Sequence, residues 1–145
     1  MIAGVLCLTC AAQQPAPTAA QAPRLADQIA SAQARLQAAE TAHPGNSREV
    51  AAALDELIQL QRDNGTGDEK TLDQARRLLQ MQTALAGPRS KEAVDAMETE
   101  TDLLEALNHV AEARALAGQA LEIAQKEFPQ SEQTSSAADS LGRIC

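Results

Sequence analysis

The punctuation of this chain constrains its fold more than any other feature. Serines able to cap a helix stand at Ser47, Ser90 and Ser131, 43 and 41 residues apart. Pro88 and Pro129 lie 41 residues apart, each two residues ahead of its serine. Proline removes a backbone donor and stops the helix before it. A serine hydroxyl can accept from an orphan N–H at the start of the helix after it. The pair therefore marks a boundary, and the boundary recurs. The clearest stretch between boundaries is Asn108 to Pro129, NHVAEARALAGQALEIAQKEFP, an amphipathic helix closed by a proline.

The rest of the chain reads the same way. Leu25, Ile29, Ala32, Leu36 and Ala39 form a helical stripe from Arg24, ended by Pro44-Gly45. Ser47 caps a second helix with Val50, Leu54, Leu57 and Ile58 on one face, ended by Asn64-Gly65. Asp68 caps a third, with Leu72, Ala75, Leu78, Leu79 and Leu85 inward, and Gly87-Pro88 stops it. Ser90 caps a fourth, with Val94, Met97, Leu104 and Leu107 inward, and Asn108 breaks it. A fifth runs from His109 to Glu127, and Ser131 caps a sixth. No segment alternates with a period of two over a useful length, so no strands are expected.

Composition agrees with an all-α chain. Apolar residues make up 44% of the 145, mostly Ala and Leu, and Phe128 is the only aromatic. Such a chain packs helices closely and has few large side chains to wall a cofactor pocket. A net charge of −8 with no basic stripe argues against nucleic acid as a partner.

The spacing also aligns interior positions. Leu54, Met97 and Ala138 are equivalent, and each is followed by an acid, Asp55, Glu98 and Asp139. Paired helices recurring at a period of about 42 are the mark of a solenoid. The chain resembles the tetratricopeptide repeat family in its longer, kinesin-light-chain-like variant. The residues that carry the resemblance are the turn and helix start Asn108-His109-Val110-Ala111-Glu112-Ala113, and the small residues Ala113, Ala117 and Ala120. Ala120-Leu121-Glu122-Ile123, Gly65 and Ala86-Gly87-Pro88 add to it. It covers about residues 25 to 145, two full hairpins with half a hairpin at each end. Gln61, Leu104 and Ala117 replace the family's aromatics, and Glu100 stands where a Leu is expected. The resemblance implies antiparallel hairpins stacked as a short solenoid. An antiparallel helix bundle without repeat ancestry is the alternative.

The N-terminus reads separately. Residues 1–12, MIAGVLCLTCAA, are apolar and uncharged, too short to span a bilayer and suited to the core of a secretory signal. The first basic residue is Arg24, so the basic start of a signal is missing, and a cytosolic N-terminus is the alternative. Cleavage after Ala12 fits the small-residue rule, and a lipid anchor on Cys10 is a further reading. Residues 13–23, QQPAPTAAQAP, form a Pro/Ala/Gln linker whose prolines exclude a regular helix, and the repeat domain occupies 24–145. Export, to the periplasm or beyond the cell, is the expectation; contact with a membrane is expected only through the signal or lipid anchor.

Motifs for chemistry are missing. Cys7-Leu8-Thr9-Cys10 has C-x-x-C spacing without the βαβ context that redox chemistry requires, and Cys145 is far away. His43 and His109 stand alone as solvated turn residues, with no zinc-ligand spacing near them. No nucleophile, base and oxyanion donors can be assembled. The expectation is a non-enzyme without metal or cofactor that binds a protein or peptide.

The candidate binding surface is an acidic stripe. The helix from Ser90 to Leu107 carries Glu92, Asp95, Glu98, Glu100, Asp102 and Glu105, and after Lys91 no base. At 100° per residue, Asp95, Glu98, Asp102 and Glu105 span only about 80°. The helix dipole favours acids in the first turn, not at Glu105. A solvated face would also explain the stripe. The family resemblance implies that these residues, with Asp55 and Asp139, line a concave groove that takes a basic segment. The array also begins on what reads as a second helix and ends within a first. Exposed apolar ends, including Leu141 and Ile144, are therefore expected, with either self-association or a place in a longer array.

Overall fold

A computed structural model describes the backbone of residues 21–144 and the side chains of residues 24–144. The segment 1–12 with Cys7 and Cys10, the linker up to residue 20, and Cys145 lie outside the described residues. Six helices follow one another: α1 (Gln21–Ala42), α2 (Arg48–Asp63), α3 (Glu69–Ala86), α4 (Lys91–Ala106), α5 (Val110–Glu127) and α6 (Glu132–Ile144). No strand occurs among the described residues.

Three caps act as their sequences require. Ser47 Oγ accepts from the Val50 N–H at 3.1 Å, Asp68 Oδ1 from the Thr71 N–H at 2.9 Å, and Ser90 Oγ from the Ala93 N–H at 3.1 Å. Asn108 ends α4 in the left-handed region, φ 64°, which Asn tolerates better than most residues. Two local expectations differ. α1 starts at Gln21 and takes in Pro23, which lies in the first turn, where the missing N–H has no intrahelical acceptor to lose. Ser131 does not cap α6; its hydroxyl donates to the Phe128 carbonyl at 2.8 Å and closes the preceding turn instead.

Consecutive helices run antiparallel across short turns. Arg35 of α1 pairs with Glu56 of α2 at 2.8 Å, and Arg114 near the start of α5 donates to the Ile144 carbonyl at the end of α6 at 3.1 Å. Alternate helices run parallel, joined at a nearly constant sequence offset. Arg62 of α2 meets Asp102 of α4 at an offset of 40, Ser136 of α6 meets Glu98 of α4 at 38, and Arg143 of α6 meets Asp102 at 41. On the other layer, Arg76 of α3 reaches Glu112 of α5 at an offset of 36, and Arg89, in the turn after α3, reaches Glu127 of α5 at 38. A near-constant offset means that each hairpin sits on the previous one with little slippage. Apart from α4 on α6, extensive packing joins only helices consecutive in the chain.

The core is a strip between the layers. Val50, Leu54, Leu57, Ile58, Leu72, Leu78, Leu103 and Leu104 are fully buried and form its main body. Val94, Met97, Ala120, Ala124 and Ala137 carry it towards α6, where alanines let α5 and α6 approach closely. Gln61 is buried with its Oε1 unpartnered.

The ends are less apolar than the sequence suggests. Leu141 and Ile144 are half-buried, and Ile144 packs against the core. The exposed side of α6 carries Ser135, Ala138, Asp139 and Gly142, and that of α1 carries Asp27, Ala30, Ser31 and Ala34. Among the described residues the one large hydrophobic side chain that is exposed is Val110.

Candidate partner-binding face

Helices α2, α4 and α6 form one layer, and the acids of the stripe lie along it. Their surroundings differ sharply. Asp102 is held from both sides: Arg62 of α2 donates to its Oδ2, and Arg143 of α6 donates to Oδ1 at 2.6 Å. Arg143 also reaches Glu105 at 3.5 Å. Glu98 Oε2 accepts from the Ser136 hydroxyl at 2.6 Å, while its Oε1 is buried without a partner. Asp95 receives Lys91 at 2.9 Å and the Gln133 amide at 3.4 Å. The stripe is therefore largely engaged in joining α4 to its neighbours.

Asp55 is different. It is half-buried on α2 and forms no ion pair, and it faces Asp95 across the gap between α2 and α4. Burial raises its pKa above the usual carboxylate value; the Gln59 side chain opposes that rise and the Asp95 charge adds to it. This gap is a cleft of about 270 Å³, lined by Asp55, Gln59, Glu92, Asp95 and Thr99, with Leu78 and Gln82 of α3 beside them. Asp55, Gln82 and Glu92 also line a second hollow of about 340 Å³ that runs on to Arg48. At the other end of the same two helices the Arg62–Asp102 pair bridges the gap. Three carboxylates face the cleft, and only Asp95 has a cation of its own, Lys91.

Asp139 is exposed on α6, and no hydrogen bond or ion pair ties it to the other acids. The residues that the sequence reading overlooked are the counter-groups Arg62, Arg143, Gln133 and Ser136. The one signal for them is spacing: Arg62, Asp102 and Arg143 are about one repeat apart, which becomes meaningful only once the hairpins are stacked.

Two further sites bear on chemistry. Glu100 is 9% exposed, with Arg76 Nε at 3.5 Å. Burial pushes its carboxyl up, and the Arg76 charge pulls against that. His109 stands in the turn before α5, its side chain 34% exposed, with Glu69 at the start of α3 3.1 Å from Nε2 and Glu112 in the first turn of α5 3.4 Å from Nδ1. Among the described residues no group of His, Cys, Asp or Glu is arranged to hold a metal ion. No helix among them is long and apolar enough to cross a membrane. A hollow of about 460 Å³ between α3 and α5 has an apolar floor of Leu79, Met97, Leu116 and Ile123.

Comparison with family models and with curated proteins returns no match for this sequence.

Proposed function

We propose that this chain is a non-catalytic protein–protein interaction module, a tetratricopeptide-like scaffold that binds a basic peptide or protein segment on its α2–α4 face. The observation that carries the reading is the cleft in which Asp55 and Glu92 face the solvent gap with no cation of their own. A Lys or Arg side chain entering it meets Asp55, Glu92 and Asp95, and the amides of Gln59 and Gln82 beside them. Partial burial of Asp55 strengthens the attraction, because charges in a partly desolvated cleft are screened less than on an open surface. The acids near the other end of α4 have a smaller part in this reading, since Asp102 and Glu105 already hold arginines. The apolar segment 1–12 followed by a Pro/Ala/Gln spacer supports export, with the interaction domain presented to the periplasm or outside the cell.

The test is a calorimetric titration with Lys/Arg-rich and Asp/Glu-rich peptides of equal length. The expected result is binding of the basic peptides alone, weakening as salt rises. The Asp55→Asn, Glu92→Gln variant is expected to lose it with its fold intact. Equal binding of acidic peptides, or undiminished binding by that variant, overturns the reading.

A further inference from the structure

We propose that Glu98 is a proton-dependent joint between α4 and α6: with its carboxyl protonated, α6 docks firmly, and with it ionised, α6 is released more readily. This is independent of what the α2–α4 cleft binds.

The geometry sets up the switch. Glu98 lies in the α4–α6 contact, one oxygen bonded to Ser136 and the other buried with no donor within reach. A carboxylate in that position leaves a dehydrated oxygen uncompensated, which costs more than an unmet neutral group. Its own helix places Asp95 and Asp102 one turn away on either side, both like charges. The nearby cations are engaged elsewhere: Lys91 holds Asp95, and Arg62 and Arg143 hold Asp102. α6 offers Glu98 the Ser136 hydroxyl and no cation; Arg143 is committed to Asp102 and Glu105, and Glu132 and Asp139 are acids. Burial is the main cause holding the Glu98 carboxyl above its usual value, with Asp95 and Asp102 adding to it and the Ser136 bond opposing it.

The element controlled is one that needs help to stay ordered. α6 has 13 residues. Isolated helices shorter than about 12–15 residues are marginal in water, so α6 depends on docking for its order. Because the docked state holds the Glu98 proton more tightly than the undocked state, docking is strongest below the raised pKa and weakens as pH rises through it.

The experiment is hydrogen exchange on the full chain at about pH 5 and about pH 8, corrected for intrinsic exchange, with α1 amides as internal reference. α6 amides are expected to be about threefold or more better protected at the lower pH, relative to α1. Glu98→Gln, which mimics the protonated group, is expected to protect α6 equally at both. Ser136→Ala removes the donor that favours the ionised form and is expected to move the transition to higher pH. Protection of α6 that does not change with pH, or a Glu98→Gln variant that keeps the wild-type dependence, overturns the proposal.

Discussion

Arg62 and Asp102 lie 40 residues apart and meet side chain to side chain, joining α2 to α4, while the other oxygen of Asp102 holds Arg143 of α6 at 2.6 Å. One carboxylate thus ties three successive helices of a layer.

Replacing Asp102 by Asn should therefore cost more than a surface charge. Asn keeps one acceptor oxygen but turns an N–H donor towards the other arginine and removes the negative charge, at a side chain only 28% exposed, and about 1–3 kcal/mol is expected. Urea denaturation of D102N, R62A and the double variant measures it. Additive costs within about 0.3 kcal/mol would mean that the pair is not coupled.

Glu100→Leu should leave stability unchanged or raise it by about 1 kcal/mol at neutral pH. The substitution removes a buried charge, and Arg76 keeps Asp73 at 3.5 Å and Glu112 at 3.3 Å as partners. A cost above about 2 kcal/mol would show that the Glu100–Arg76 pair holds α3 against α4 more strongly than its length suggests.

Stability should be greatest in mild acid. Asp55, Glu98 and Glu100 have carboxyls raised by burial, so the native state holds protons that the unfolded chain has released. Stability then falls as pH rises from the ordinary carboxylate values of 3.8 and 4.5 through the raised ones. At lower pH the sign reverses. Glu49 is lowered chiefly by its backbone hydrogen bond, Asp68 by its bond from the Thr71 N–H, and Glu122 by its bond from Lys126. What these three contribute is lost as pH falls through their lowered values. Urea midpoints measured at steps across this range should peak below neutrality; a steady rise from about pH 5 to about pH 8 would contradict the assignment.

The serines that look equivalent in sequence should behave differently. Ser90→Ala removes an N-cap and should cost about 1 kcal/mol, whereas Ser131→Ala removes only a turn hydrogen bond and should cost about half that or less. Melting temperatures of the two variants check this, and equal losses would count against the distinction.

Local chemistry determined most of the secondary structure. The caps at Ser47, Asp68 and Ser90, the breaks at Gly87-Pro88 and Asn108, and the stripe of apolar residues in each helix all act within a few residues. They are therefore readable without the fold. The acidic stripe on α4 was legible for the same reason, because 100° per residue is a property of one helix. What the stripe faces was not. Arg62 and Arg143 reach Asp102 from one repeat before and one repeat after, and only stacking brings them together. The same stacking turned Asp55 and Glu92 into walls of a cleft, left Asp139 in solvent, and buried Glu98 against Ser136. Burial and through-space charge depend on neighbours distant in sequence, so which acids are spent on the fold and which are left without a cation was decided by tertiary structure alone.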